Sequence, residues 1–274
     1  MRIYNNVEAQ NAHRQLSVNS MALSRTMERL SSGLRINRAA DDAAGLAVSE
    51  QMRTKIRGMQ VASRNAQDGV SLVQVADGAL SGVNDMLQRM RDLAVQAANG
   101  TFTDQQRSNL DAELQALMSE VNRVSSDTDF NGIKILSGSV ATAASAVTLQ
   151  VGADASQSIA FTIATMNTTQ LGISGIAISS ANSASAAIAS IDAAIVTVNQ
   201  ARANMGAVQN RLEQTINRLK LTAENLQAAE SRIRDADMAA EMIEMTKRQI
   251  LQQSGTAMLA QANQLPQSVL QLLK

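Results

Sequence analysis

Apolar residues recur every three or four positions along most of this chain, which is the spacing of a helix face that packs against another helix. The first such row lies between Asn5 and Leu34 and predicts a helix with one narrow apolar face. Its members are Leu16, Leu23, Met27, Leu30 and Leu34. His13 also falls on this row, where a packed or interfacial imidazole is a better interpretation than a catalytic one.

A second row starts at Val48 and continues for roughly seven heptads. A helix of about 50 residues would extend about 75 Å, at about 1.5 Å per residue. Asn99-Gly100 has the chemistry of a helix C-terminus. Thr103 and Gln106 form a capping box, which predicts the start of a third helix.

The middle of the chain has a different pattern. Ile133–Leu136, Val147–Val151 and Ile159–Ala164 favour short strands separated by turn-forming residues, which predicts a small hairpin. Ser139–Ala146 and Ser179–Ser190 are rich in Ala and Ser and specify little structure. We therefore expect a surface tip here, without a globular domain.

A long row then returns from Ile188 to Ile233, and its length matches the second row. This match predicts two long antiparallel helices with the hairpin at their far end. Arg202, Gln209 and Glu230 interrupt the returning row with polar groups of the kind that fix register.

The last segment is uncharged between Arg248 and Lys274, yet its apolar spacing continues. The row comprises Leu251, Met258, Ala262, Leu265, Val269 and Leu272. Gln, Asn and Ser fill the other faces, so this helix suits neither lipid nor isolation in water. We expect it to pack against copies of itself and the first helix, around a wet interior.

Composition supports the same fold class. The 274 residues include three Phe, one Tyr, no Trp and fourteen Met, so aromatic bulk for a compact core is missing. We predict a mainly α fold, namely a long antiparallel helical rod or coiled coil built from both chain ends, with a small β-hairpin region in the middle.

Charge and composition also exclude several functions. The 24 Lys and Arg balance 24 Asp and Glu, and no basic face points to nucleic acid. The absence of Cys excludes disulfides and thiolate metal sites. No apolar run approaches the length of a membrane span, and the N-terminal residues do not have the pattern of an ordinary secretory signal.

Two carboxylate pairs are the only candidates for catalysis or metal binding. Asp41-Asp42 and Asp235 with Asp237 lack neighbouring histidines, a phosphate-binding loop or a nucleophile motif. Helix caps and salt links explain them better. We therefore predict no catalytic residues, no cofactor and no metal, and thus no enzyme.

Several segments resemble bacterial flagellins. They are LSSGLRINRAADDAAGLAVSEQMR, DGALSGVNDMLQRMRDLAVQAANGT, RVSSDTDFNGIKIL, MGAVQNRLEQTINRL, SRIRDADMAAEM and ILQQSGTAMLAQANQLPQSVLQLL. The resemblance covers roughly the first 138 and the last 75 residues, and the middle is similar to a much shortened variable region. The large outer domains of longer flagellins have no counterpart here.

The resemblance implies five regions and a helical filament of many copies, the propeller for swimming. The regions are 1–42, the N-terminal half of an inner coiled-coil domain; 43–138, the N-terminal part of a helical rod; 139–183, a variable surface region; 184–234, the C-terminal part of the rod; and 235–274, the C-terminal half of the coiled-coil domain. Open head-to-tail contacts make such a filament. The expected polymerisation row is Leu16, Leu23, Met27, Leu30, Leu34, Leu251, Met258, Leu265, Val269 and Leu272.

The resemblance also implies partners and a location. They are the flagellar cap and hook-junction proteins, an export chaperone at residues 251–273, type III export and an extracellular filament. No nucleic acid or membrane is expected. Many flagellins are bound as monomers by a vertebrate Toll-like receptor, and the matching residues here are Gln88, Arg89, Met90, Arg91, Asp92 and Leu93, with Glu113 on the next helix.

Some alternatives stay open at this point. Asp92 stands where these proteins usually have Glu, and the charged residues of the receptor stretch could simply make salt links along the rod. A hook-filament junction protein has similar chain ends, although QRMRDLAVQAANGT favours the filament protein. A coiled-coil signalling rod would also have long heptads and few aromatic residues.

Overall fold

The structure is a computed structural model that describes residues 6–142 and 144–272, with side chains described as far as Gln264. In this part of the chain it has five α-helices and two antiparallel two-stranded sheets. In chain order they are α1 (Val7–Ser32), α2 (Ala43–Ala98), α3 (Asp104–Asp127), β1 (Asp129–Phe130), β2 (Ile133–Lys134), β3 (Val147–Gln150), β4 (Ser158–Phe161), α4 (Ala181–Arg234) and α5 (Met238–Leu272). The mainly α prediction is confirmed.

The chain divides into two compact units. The first combines Met1–Lys55 with Glu224–Lys274, and the second is Ile56–Ala223. The first unit therefore combines the two ends of the chain, whereas the second is one continuous segment.

In the first unit, α1 packs antiparallel to α5. The Asn6 side chain caps α1 by accepting from the Ala9 N–H, and it donates to the Ala262 carbonyl at 2.8 Å. Further along, the Asn19 amide donates to the Arg248 carbonyl at 2.9 Å. These two asparagines fix the register of a helix pair that has little apolar bulk between its members.

A short backbone bridge closes the same unit where α1 and α4 end. Leu34 pairs with Asp235, and the Arg35 N–H donates to the Arg234 carbonyl at 2.7 Å. Gly33 ends α1 in the left-handed conformation, at φ 72°, which a residue without Cβ adopts easily. Ile36 is buried beside this bridge.

The carboxylates near the bridge are caps, as the structural interpretation predicted. Asp41 Oδ2 accepts from the backbone N–H groups of Asn37 and Arg38, and Asp42 Oδ1 accepts from Gly45 N–H at 2.8 Å. These bonds, that of Arg38 above all, hold the pKa of the Asp41 carboxyl below its usual value.

The second unit has its core between α2, α3, α4 and the two hairpins. Large side chains that are completely buried include Leu80, Leu87, Met90, Leu114, Ile135, Leu136, Ile163 and Ile173. Asp77 pairs with Arg202, and Arg91 pairs with Asp192, so α2 and α4 run antiparallel as predicted. Arg202, one of the polar residues that interrupt the apolar row of α4, thus has a specific partner on α2.

The predicted capping box is present at the start of α3. The Thr103 hydroxyl accepts from the Gln106 N–H, and the Gln106 side chain accepts from the Thr103 N–H. Arg107, on the first turn of the same helix, lies at the C-terminal end of α2 and is only 8% exposed.

The strands differ from the prediction because there are two hairpins. β3 and β4 pair from Val147 opposite Phe161 to Gln150 opposite Ser158, as expected. The other hairpin, β1–β2, turns at Asn131-Gly132, whose φ angles of 52° and 80° suit this dipeptide.

α4 also starts earlier than predicted, at Ala181, because Ala is a strong helix former even without a periodic apolar row.

The apolar row of α1 needs a correction. Met27 is 54% exposed, whereas its neighbour Thr26 is 5% exposed and faces inward. The side of α1 that is covered comprises Ala12, Leu16, Asn19, Leu23, Thr26 and Leu30. His13 is exposed instead of packed.

Only part of the predicted row of α5 faces α1 within the single chain. Its covered side comprises Glu241, Met245, Arg248, Gln252, Gly255, Leu259 and Ala262. Leu251 and Met258 lie on a neighbouring face and are 48% and 65% exposed. The side chains of Leu265, Val269 and Leu272 lie outside the described residues.

One helix in the described part of the chain, α4, is long and apolar enough to cross a membrane by length and composition alone. This corrects the expectation that no segment approaches that limit. Ala184, Ala187, Ile191, Ala194 and Val198 on this helix pack into the core of the second unit, as in the core helix of a globular protein.

Candidate interaction surfaces

The first unit has a groove of about 470 Å³ between α1 and α5. Its walls are mostly apolar, and Leu16, Leu251 and Met258 contribute the largest apolar side chains. Gly255 lies at its base, where an added Cβ would come within 3.2 Å of Leu16 Cδ1, so glycine allows the two helices to approach closely. Three residues of the predicted polymerisation row therefore meet in one groove.

Next to this groove, α5 exposes a strip of large apolar side chains. Ile243 is 70% exposed and Ile250 is 60% exposed, at a separation of two helical turns. Val18 and Met21 are similarly exposed on α1. Large apolar side chains exposed on both helices of a pair are typical of a surface that a partner covers, although Thr246 and Lys247 separate Ile243 from Ile250.

The second unit brings together most of the predicted receptor-contact residues. Arg89 on α2 donates to Glu113 on α3, with Nη2 to Oε1 at 2.7 Å and Nε to Oε1 at 2.9 Å. Both side chains are about half exposed, and Gln88 is exposed beside them. Of the residues that the resemblance implied, Gln88, Arg89 and Glu113 thus lie together at the surface of the second unit.

The position of Leu93 contradicts its predicted role in the receptor contact. It is 1% exposed and belongs to the core cluster with Met90 and Leu114, so its side chain has no free surface for a partner. The helical period explains the error, since Leu93 follows Met90 by three positions and shares its inward face.

Ion pairs tie the ends of α2 and α4 together within the first unit. Glu50 accepts from Arg234 and Arg53, and Arg234 is largely buried. The hydrogen bond from Arg234, followed by that from Arg53, lowers the pKa of the Glu50 carboxyl. Sequence analysis missed this contact because its partners are separated by 184 positions.

The described residues contain no group of three or more His, Asp or Glu side chains placed to hold a metal ion. Asp237 and Asp235 have local roles. Asp237 Oδ1 accepts from the N–H groups of Ala239 and Ala240 at the start of α5, and Asp235 accepts from the Ser231 hydroxyl at 2.6 Å.

Comparison with known families identifies both ends of this arrangement. The bacterial flagellin N-terminal helical region matches residues 3–141, and the bacterial flagellin C-terminal helical region matches residues 188–273. The chain belongs to the bacterial flagellin family. It is a short form of flagellin without a large variable domain, since about 46 residues separate the two matched regions.

Curated relatives match over their whole length. The chain is 50% identical to a flagellin of Halalkalibacterium halodurans, with all of both chains covered. It is 48% identical to a flagellin of Bacillus subtilis and 47% identical to the flagellar filament 33 kDa core protein of Treponema phagedenis, also over both full lengths. The chain is therefore a structural subunit that polymerises into the bacterial flagellar filament, an extracellular assembly.

Solved structures agree on the fold. The crystal structure of Bacillus cereus flagellin is 34% identical, with a TM-score of 0.50, and covers 61% of this chain and 94% of that one. A flagellar hook-associated protein from Vibrio parahaemolyticus has a TM-score of 0.59 over 71% of this chain and 100% of that one. At 15% identity, the second similarity concerns the fold alone.

Proposed function

We propose that the α1–α5 pair is the polymerisation element of this flagellin, and that the groove at Leu16, Leu251 and Met258 receives an apolar side chain of a neighbouring subunit. The exposed strip at Ile243 and Ile250 would supply such side chains. The observation that carries this proposal is the large amount of apolar surface that α5 leaves uncovered while one side of it already packs on α1. Burying that strip between copies is favourable by about 25 cal/mol per Å².

A double substitution in the groove tests the proposal. Leu251→Asn with Met258→Asn replaces exposed side chains, so the monomer keeps its fold while the wall of the groove becomes polar. We expect no filaments by electron microscopy at concentrations where the unmodified protein polymerises. Gln253→Asn with Thr256→Asn is the matched control, because these side chains are also exposed on α5 but are polar already. Filaments of normal yield from the Leu251 and Met258 variant would refute the proposal.

The five regions 1–42, 43–138, 139–183, 184–234 and 235–274 are proposed as assembly modules. In this scheme the first and last regions polymerise, and the regions between them form the rod and its surface tip. The cap network at Asp41 and Asp42 and the start of α5 at Asp237 support breaks near the two outer boundaries.

Other partners follow from the ends of an open filament. A head-to-tail polymer leaves one unfilled surface at each end. We propose that the flagellar cap and hook-junction proteins occupy these two surfaces. The exposed side chains of Leu251 and Met258 would promote association before assembly, so we also propose that an export chaperone covers residues 251–273 until type III export delivers the chain outside the cell. Chaperone binding should slow hydrogen exchange in this segment.

We further propose that Gln88, Arg89 and Glu113 form a contact for a Toll-like receptor. Support comes from the exposure of all three side chains and from the Arg89–Glu113 ion pair, which presents a planar guanidinium with an apolar stem. Leu93 would act indirectly, by holding this turn of α2 against the core.

A structural role without catalysis is proposed for the chain as a whole, since its family is a structural one.

A further inference from the structure

Charged side chains are distributed unevenly along the second unit. One half, which we call the α3 half, contains α3 with residues 77–98 of α2 and 181–202 of α4. All five of its arginines have carboxylate partners within the chain: Arg89, Arg91, Arg107, Arg123 and Arg202. Its cations are therefore already neutralised.

The other half, which we call the basic half, contains residues 56–76 of α2 and 203–223 of α4. Its helices carry five cations and only two acids, Asp68 and Glu213. Among the residues that the structure describes, none of these cations has an ion-pair partner: Arg57, Arg64, Arg211, Arg218 and Lys220. The contrast between the two halves indicates that the basic half has its acidic partner elsewhere.

Two of these cations border a groove. Arg211 and Arg218 lie on one face of α4, seven residues apart, beside a groove of about 440 Å³ that Ile159 of β4 closes on one side. Asn210, Gln214 and Thr215 add polar groups to its walls. Leu221, one turn beyond Arg218, is 60% exposed. The groove thus offers two positive charges, hydrogen-bonding groups and an apolar contact.

The α3 half carries two exposed acids on one side of α2, and Arg89, which is already paired with Glu113, lies between them. Asp85 and Asp92 on α2 are exposed, point away from the core and have no ion-pair partner among the described residues. Asp85 interacts electrostatically with Arg202, but Arg202 donates its hydrogen bonds to Asp77. Asp85 and Asp92 are also seven residues apart, so both the acidic and the basic pair span about 10.5 Å of helix.

We propose that the Arg211–Arg218 groove of one flagellin subunit receives the Asp85–Asp92 face of a second copy, which deepens the assembly role proposed above. An open filament relates its subunits without reversing them, so α2 of one copy and α4 of the next stay antiparallel when the filament axis follows the helices. In this register Asp85 faces Arg218 of the second copy and Asp92 faces its Arg211. Leu221 of that copy then lies over Gly82, beside which the single chain leaves open space.

Charge exchange in the full-length chain tests this pairing. Arg211→Asp with Arg218→Asp places like charges across the contact, and so does Asp85→Arg with Asp92→Arg. Each double variant should raise the critical concentration for polymerisation by roughly tenfold or more, because like charges in contact are strongly unfavourable. The variant with all four changes restores opposite charges and should polymerise within about threefold of the unmodified protein.

A matched control uses the same spacing on the same half. Arg57→Glu with Arg64→Glu changes the charge equally but lies outside the groove, and it should leave the critical concentration unchanged. Circular dichroism verifies that each variant folds. The pairing would be overturned by normal polymerisation of the Arg211/Arg218 variant or of the Asp85/Asp92 variant. Failure of the fourfold variant to polymerise, while its monomer is folded, would also overturn it. These outcomes are independent of the α1–α5 proposal, since all these variants keep that helix pair intact.

Discussion

Arg107 closes the C-terminal end of α2 through Ala97: its Nε donates to the Ala97 carbonyl at 2.9 Å. Nη2 of the same guanidinium donates to the Asn99 carbonyl at 3.1 Å, and Nη1 pairs with Asp104. One buried cation from the start of α3 thus satisfies carbonyl groups that end without helical partners, and it sits favourably at the negative end of the α2 dipole.

Arg107→Ala should therefore destabilise the second unit. The substitution removes the arginine donor of the buried Ala97 carbonyl and the cation at the end of α2, so we expect a loss of about 2–4 kcal/mol in the free energy of unfolding. Urea denaturation followed by circular dichroism measures this loss. Arg123→Ala is the control, because this exposed arginine pairs only with Glu120 and Asp127 on its own helix and should cost less than about 1 kcal/mol.

Deletion of residues 251–274 should leave a soluble helical monomer that does not form filaments. Among the described residues the core of the second unit involves none from α5, whereas α1 loses most of its packing partner, including the contact of Asn6 with Ala262. Most helical stability in a protein comes from tertiary packing, so α1 should partly unfold without this partner and helix content should fall by more than the deleted residues account for. Normal filaments from the truncated chain would contradict this expectation.

Two glycines should respond to alanine in opposite directions. Gly132 has φ 80°, so Gly132→Ala strains the β1–β2 turn and should cost about 1 kcal/mol or more of unfolding free energy. Gly206 is helical with no atom near its added Cβ, so Gly206→Ala should stabilise α4 by about 0.5–1 kcal/mol. Thermal unfolding of both variants checks the signs.

Acid should weaken the first unit before the second. Hydrogen bonds from Arg234 and Arg53 lower the pKa of Glu50, and backbone hydrogen bonds lower that of Asp41. A lowered carboxyl pKa means that stability is fully present above the unfolded-state pKa, near 4, and is lost as pH falls through the folded-state value. Glu50→Gln should flatten the pH dependence of hydrogen exchange in residues 33–50 below about pH 4. An unchanged acid limb in this variant would assign the effect to other carboxylates.

Arg89→Ala separates the receptor contact from a structural role. If the ion pair with Glu113 serves only the rod, the variant should lose up to about 1 kcal/mol of stability and activate the receptor normally. A receptor contact instead predicts strongly reduced activation by a folded monomer. Glu113→Ala removes the same ion pair but keeps the guanidinium, so comparing the two variants identifies the group that the receptor binds.

Local chemistry was predictable from the sequence, and the choice of helix face was not. The capping box at Thr103 involves groups three residues apart, so sequence alone specifies it. Met27 and Thr26 differ by one position, about 100° around the helix, and only the partner α5 determines which of them is covered. The turn at Asn131-Gly132 is equally local, since this dipeptide favours the positive φ angles that a two-residue hairpin turn needs.

The surface pairing of charges was equally invisible in the sequence. Arg89 with Glu113 and Arg91 with Asp192 depend on how α2, α3 and α4 pack together. Leu93 was placed on the wrong surface for a related reason, since neighbours in a functional stretch need not share a face of their helix. The sequence therefore indicated which stretch of α2 could contact a receptor, but the packing of the helices determines which side chains of that stretch are exposed.

The uncharged stretch that follows Arg248 gives this filament an unusual relation to ions. Contacts made by such a helix have no Coulombic component for salt to screen, and sulfate or phosphate strengthens them by favouring apolar burial. Contacts between charged faces of the second unit weaken as ionic strength rises, within a screening length of about 8 Å at 0.15 M. At high ionic strength the contacts of this C-terminal segment are therefore the ones that keep their strength, whereas charged contacts contribute most in dilute solution.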